Sequence, residues 1–319
     1  MKILVTGACG FIGFSLAKRL LKASHHVIGL DNLNSYYSQK LKNSRLKELK
    51  KFKNFSFFKI DLTKDKQLEK LGKHNFNYIF HFAAQPGVRY SLINPQVYYD
   101  NNIIGFQNLF KTINFTNIKK VFYASSSSVY GDQLNFPIKE VANLNAKNPY
   151  GVSKIINENL AEIFSYRYKV PFVGLRLFTV YGEWGRPDMF IIKLLFNLKN
   201  KKKFDLNNSG NHYRDFTYIE DVVEICIKLM KKKMMNKNLI FNVCAGKFVN
   251  IFNLTKKILK HFPKEKKLIR YVPANKADVY KTFGSNKKLK KIIGKYKFKK
   301  IDHGLIKTFS WFFKYNKNI

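Results

Sequence analysis

Lys2 to Asp31 read KILVTGACGFIGFSLAKRLLKASHHVIGLD, a run that contains a complete strand, loop, helix and second strand. KILVT is a short apolar run, FSLAKRLLKAS has apolar residues at helical spacing, and HVIGLD is a second apolar run. Between them TGACGFIG sets Gly7, Gly10 and Gly13 three residues apart, with Phe11 and Ile12 inside the loop. Glycines at this spacing let the backbone turn tightly and approach a pyrophosphate, whose charge is met by the N-terminus of the following helix. Asp31 follows about 20 residues later, where a carboxylate accepts hydrogen bonds from both ribose hydroxyls of NAD and repels the 2′-phosphate of NADP. The cofactor expected from these residues is NAD.

The same alternation continues outward. FSFFKID, YIFHFAA, KVFYASS and FVGLRLFTV read as further buried strands, each strand followed by a segment of helical spacing. This predicts an α/β fold, a Rossmann-like doubly wound parallel sheet with helices on both faces. Asp61 ends the third strand and is a candidate for the adenine edge. After Gly182 the pattern loosens. Residues 1–180 are expected to form the NAD-binding domain and residues 181–319 a smaller, interleaved substrate-binding lobe. A late strand at about 239–246, in LIFNVCAG, is expected to return to the sheet, and GLIKTFSWFFKY to form a C-terminal amphipathic helix.

Composition narrows the class. The 319 residues are 45% hydrophobic, enough for a sizeable core. Three widely separated cysteines, Cys9, Cys226 and Cys244, fit neither a disulfide framework nor a zinc site, so no metal is expected and a reducing cytoplasm fits. No apolar stretch reaches the ~20 residues of a membrane span. The net charge of +39 would suit a nucleic-acid binder. The lysines lie in scattered short runs without a nucleic-acid module, however, and Lys, Asn, Phe, Tyr and Ile are the residues that an A- and T-rich genome favours. We read a solvated basic surface, with no nucleic-acid partner and some attraction for anionic substrates.

Chemistry enters with SSSSVYG, Ser125 to Gly131, and with NPYGVSK, which sets Tyr150 and Lys154 four residues apart on one helix face. An ammonium beside a phenol favours phenolate and draws its pKa down from ~10. Tyr150 can then take a proton from a sugar hydroxyl while the carbon gives hydride to NAD.

In combination, these motifs resemble the extended short-chain dehydrogenase/reductases, in their nucleotide-sugar epimerase and dehydratase branch, nearly end to end. The resemblance implies that Ser126 hydrogen-bonds the reacting hydroxyl, with Ser127 as the fallback, and that Asn102 lies near cofactor and substrate. It implies further NAD contacts from Asn32, Leu62, Ala83 and Ala84, and a homodimer built from two helices per subunit. Narrower motifs, DNLNSYY, AAQPGVRYS, FTVYGEWGRPDM and YRDFTYIED, resemble the UDP-glucuronate 4-epimerase subfamily. That likeness implies a UDP-sugar substrate, a sugar carboxylate surrounded by Ser127, Ser128, Thr179 and Arg186, a further substrate contact from Arg89, Arg214 at the diphosphate and Asp278 near the uridine. The bland alternatives are that Arg186 pins a loop and that Arg214 pairs with Asp215.

The serines separate the reactions. Related dehydratases carry Asp-Glu before VYG to eliminate water, a step that needs a general acid and base within reach. Ser127 and Ser128 do not titrate near neutral pH. UDP-glucuronate decarboxylases usually carry Glu where this chain has Ser128. Neutral hydroxyls instead suit a carboxylate, with Arg186 adding a charged fork. The expected reaction is 4-epimerisation of UDP-glucuronate to UDP-galacturonate by transient C4 oxidation with tightly bound NAD. A neutral-sugar 4-epimerase and a decarboxylase are the runners-up, and a non-catalytic NAD- or RNA-binding scaffold is the reading from another class.

Overall fold

The computed structural model of the chain describes residues 1–274 and 279–315. Its strands are β1 Lys2–Thr6, β2 His26–Asp31, β3 Phe55–Lys59, β4 Tyr78–His81, β5 Lys120–Ser126, β6 Phe172–Leu177, β7 Thr179–Tyr181, β8 Phe204–Asn207, β9 Tyr213–Tyr218, β10 Asn238–Val243, β11 Phe248–Asn250 and β12 Ile269–Val272. Seven form one parallel sheet in the order β3-β2-β1-β4-β5-β6-β10. β1, β4 and β5 are buried along nearly their whole length, as expected of strands covered by helices on both faces. The strand order reverses between β1 and β4. In open α/β sheets the crevice at the carboxyl ends of such a switch point is where ligands bind.

The sheet divides two large apolar layers. Helix Phe11–Lys22 packs its buried face of Phe14, Leu16, Ala17, Leu20 and Leu21 with helix Ile219–Lys231 on one side. Phe106, Leu109, Phe110, Ala161 and Phe164 cover the other. β10 lies beside β6 at the edge of the sheet, with Asn238 opposite Phe172 and Val243 opposite Leu177.

Two elements differ from the sequence reading. FVGLRLFTV is two strands. After Leu177 the Phe178 N–H still donates to the Val243 carbonyl at 3.2 Å, and the chain then leaves the main sheet so that β7 pairs with β9. Phe178 is buried at this corner, with Tyr130, Ile138 and Cys244. An apolar run does not show which sheet it serves, because both partners bury it. The second difference is β3, which is half-buried and not fully enclosed, as an edge strand with one neighbour. The C-terminal helix spans Ile301–Tyr315.

Candidate active site

A cavity of about 410 Å³ opens at the switch point and runs from the first loop to the ends of β5 and β6. Its size is that of a ligand pocket. Gly7, Gly10, Phe11, Ile12, Gly13, Asp31, Asn32, Leu62, Ala83 and Ala84 line one end. The glycine spacing is required sterically here. Gly7 has φ +66°, and a Cβ on Gly13 would stand 2.1 Å from the Gly7 carbonyl oxygen. Gly10 begins helix Phe11–Lys22 with no side-chain cap and no acidic residue in the first turn, so nothing there opposes an anion.

Asp31 is 7% exposed. Its Oδ2 accepts from the Cys9 N–H at 3.0 Å and its Oδ1 from the Leu33 N–H at 2.8 Å. Two of the roughly four acceptor positions of a carboxylate remain for ribose hydroxyls. The cradle, the uncapped helix start and this carboxylate fit NAD. Asp61 does not line the cavity, although Ile60 and Leu62 on either side of it do. It accepts from the Thr63 N–H at 2.9 Å, the Thr63 hydroxyl at 2.8 Å and the Asn32 amide at 3.1 Å. Burial raises its pKa, and these bonds outweigh that to hold the carboxyl below its usual range.

Ser126, Tyr150 and Lys154 meet at the middle of the cavity. β5 delivers Ser126, and Asn148 caps helix Pro149–Tyr168 by accepting from the Gly151 N–H at 2.9 Å. The Ser126 oxygen accepts from the Ser128 N–H at 3.1 Å, which leaves its hydrogen to donate. Tyr150 departs from expectation. Its phenol pKa is raised by burial, and the counteracting influences are the Ser126 hydroxyl and the Arg186 charge. Lys154 Nζ lies 5.9 Å from the Tyr150 ring centroid. Burial pushes this ammonium down to about 8 against the opposing charge of Glu158, so it is still mostly protonated at neutral pH.

Behind the trio runs a buried network. Glu158 accepts from the Ser125 hydroxyl at 2.5 Å and from Arg176 Nη2 at 2.7 Å, and Arg176 Nη1 donates to the Tyr130 hydroxyl at 2.9 Å. Asn102 lies on a π-helical turn, Tyr99–Ile104, and is buried rather than cavity-lining. Its amide donates to Ser153 Oγ at 3.0 Å, tying that turn to the Tyr150 helix.

At the other end Ser127, Ser128, Thr179, Arg186 and Arg214 line the same cavity. Asp31, at the dinucleotide end, is the one carboxylate among the described lining residues. Arg186 donates from Nε to Asp188 Oδ1 at 3.0 Å and from Nη2 to Asp188 Oδ2 at 2.5 Å. Arg214 donates to the Tyr213 and Tyr280 carbonyls at 2.8 and 3.2 Å. Asp215 is fully buried and accepts from the Ala245, Gly246 and Gly284 N–H groups. Arg89 is exposed on helix Val88–Ile93, outside the lining. Asp278 lies outside the described residues.

The buried cations that escaped the sequence reading include two on one helix. Lys42 lines the cavity and donates to Asn34 Oδ1 at 2.6 Å. Arg45, wholly buried, donates to the Cys9 carbonyl at 2.8 Å, the Tyr37 hydroxyl at 2.7 Å and the Trp184 carbonyl at 2.5 Å. It thereby joins the glycine loop to the loop that carries Arg186. Trp184 itself has φ +60° and packs between Phe14 and Trp311, with ring centroids at 5.1 and 5.6 Å. The available signal was the interleaving of Leu41, Leu46 and Leu49 with Lys42 and Arg45, which puts both charges on the buried face of helix Gln39–Lys50.

Residues 3–244 match the model of the NAD dependent epimerase/dehydratase family. Protein CapI of Staphylococcus aureus is 45% identical over 234 residues, covering 73% of this chain and 70% of that protein. UDP-glucuronate 4-epimerase of Thermodesulfobacterium geofontis is 36% identical over 310 residues, covering 97% and 95%. The crystal structure of UDP-glucuronic acid 4-epimerase from Bacillus cereus, in complex with UDP-glucuronic acid and NAD, superposes with a TM-score of 0.92 at 28% identity, covering 98% and 99%.

Proposed function

The chain belongs to the NAD dependent epimerase/dehydratase family, and from that premise we propose that it interconverts UDP-glucuronate and UDP-galacturonate by 4-epimerisation. The observation that carries the reading is the sugar end of the cavity, where the hydroxyls of Ser127, Ser128 and Thr179 stand with Arg186 and no carboxylate joins them among the described residues. A neutral sugar needs no guanidinium there, and dehydration needs acids that are missing from this wall.

The enzyme is NAD-dependent, and the cofactor when bound supplies acceptance and return of hydride at C4. Gly10 and the uncapped start of helix Phe11–Lys22 would hold its diphosphate, and Asp31 its ribose hydroxyls. Tyr150 takes the proton of the C4 hydroxyl and later returns one. Ser126 donates to the reacting oxygen, its own oxygen being anchored by the Ser128 N–H. The Lys154 ammonium supplies positive charge below the phenol, supported by Glu158 one turn farther along the helix. The sugar turns within the cavity between oxidation and reduction, so one enclosed site must serve both faces. The product would supply galacturonate for a surface polysaccharide. No helix among the described residues is long and apolar enough to cross a membrane.

Purified protein incubated with UDP-glucuronate and no added cofactor is expected to yield UDP-galacturonate, and denaturation to release NAD without a 2′-phosphate. Recovery of NADP would remove the argument from Asp31, and a product limited to pentose nucleotides, or unchanged UDP-glucuronate, would remove the epimerase reading.

A homodimer is the proposed state. Ile163 and Tyr166 on helix Pro149–Tyr168 are 61% and 86% exposed, Val152 lies open on the same helix, and Ile104 lies open at the end of the π-helical turn Tyr99–Ile104. Burial of such faces against a second copy is the common isologous solution. Light scattering at micromolar concentration is expected to give twice the chain mass; a monomer would refute this.

A further inference from the structure

Three of the four narrow sequence motifs converge on one cluster. Tyr36 comes from DNLNSYY, Gly87 from AAQPGVRYS, and Arg186 with Asp188 from FTVYGEWGRPDM. Arg186 meets Asp188 with its Nε–Nη2 edge, at 3.0 and 2.5 Å. The Tyr36 hydroxyl donates to the same Asp188 Oδ2 at 3.4 Å. Gly87, at φ +104°, makes room for Tyr36, because a Cβ there would stand 2.2 Å from the Tyr36 oxygen. Tyr36, Gly87 and Arg186 line the cavity, whereas Asp188 does not.

A guanidinium has five N–H donors in a rigid plane. Asp188 takes one from Nε and one from Nη2. The remaining three belong to Nη1 and to the outer side of Nη2, and among the described residues no acceptor meets them. Because the plane is rigid, a carboxylate fixed on the first edge fixes the direction of the second. We infer that Asp188 is a positioning residue, held by Tyr36, that pre-aims the Nη1–Nη2 edge of Arg186 at the carboxylate of an acidic sugar and so sets the preference for uronate over neutral sugar. The inference rests on the proposed function above. The opposite arrangement, in which Asp188 occupies the fork as an internal competitor, would place it on the edge reached from the cavity, and Asp188 lies outside the lining. Its carboxyl stays charged through neutral pH, since burial raises its pKa but the Arg186 charge outweighs that.

The test uses NAD-loaded protein carrying Tyr150→Phe, so that binding is measured without turnover, with UDP-glucuronate and UDP-glucose as calorimetric probes. Freeing a long side chain that had been held in place weakens binding by about 3- to 10-fold. Asp188→Ala is expected to weaken UDP-glucuronate by that factor and to leave UDP-glucose within about twofold. Asp188→Asn, which keeps one acceptor oxygen, is expected to recover part of the loss, and Tyr36→Phe to lose less than Asp188→Ala. Tighter UDP-glucuronate binding by Asp188→Ala would make Asp188 a competitor and overturn the proposal. Equal losses for both nucleotides, or none, would overturn it as well. If the parent shows no preference for UDP-glucuronate, the acidic-sugar reading itself fails, which is visible before any Asp188 variant is made.

Discussion

Tyr150→Phe is expected to lower turnover by ~10²–10⁴-fold, about 3–5 kcal/mol of barrier, while NAD remains bound. The substitution keeps the ring and removes the oxygen to which the proposed mechanism gives the C4 proton. In the free site burial holds that phenol above its usual pKa, so the proton is not lost without help from nearby positive charge. Lys154 and Arg186 are the cations that the structure brings to it. Retention of NAD separates a chemical loss from a folding loss, since Gly7, Gly10 and Asp31 are untouched. Turnover near normal would remove Tyr150 from the mechanism and leave the Ser126 hydroxyl without a partner base.

The second large effect is a change of product. Once C4 is a ketone, the C6 carboxylate is β to it. If that carboxylate turns out of the ring plane, the C5–C6 bond can break, with its electron pair passing to the C4 oxygen as an enolate, carbon dioxide leaving and a proton returning to C5. Arg186 and the hydroxyls of Ser127, Ser128 and Thr179 line this end of the cavity, and in the proposed function they hold the group in the unreactive orientation. Removing a charged hydrogen-bonding fork costs ~1.5–3 kcal/mol, enough to raise the misaligned population ~10- to 100-fold. Arg186→Ala is therefore expected to release a pentose nucleotide or its 4-keto form alongside less UDP-galacturonate, detected by mass spectrometry. A clean but slower epimerase would make Arg186 a loop anchor for Asp188 and move the carboxylate clamp elsewhere.

The parts legible in the sequence are those where one residue type has one use. KILVT and KVFYASS are apolar along their length because parallel strands are covered on both faces, and the glycines of TGACGFIG leave few alternatives to a dinucleotide turn. Tyr150 and Lys154 needed only the helical period. What stayed hidden is set by distant chain. β8 and β12 pair across some 65 positions as FDLN and IRYV, each too short to carry a period. FVGLRLFTV gave no sign of the corner at Phe178. Lys42 and Arg45 read as solvated charge, although each is buried against backbone carbonyls contributed by other segments. Asp188 stood inside a quoted motif, yet its hydrogen bond from the Tyr36 hydroxyl comes from 152 positions away.

Trp184 and Trp311 are the only tryptophans in the chain, and they touch. Trp184 lies two residues before Arg186 and its carbonyl is held by Arg45, so the indole pair is tied to the loop that carries Arg186. The protein consequently carries its own optical gauge. Its red-most ultraviolet emission originates from a single spot, and any shift of that loop when a nucleotide sugar enters changes the colour or brightness of the whole molecule without a label.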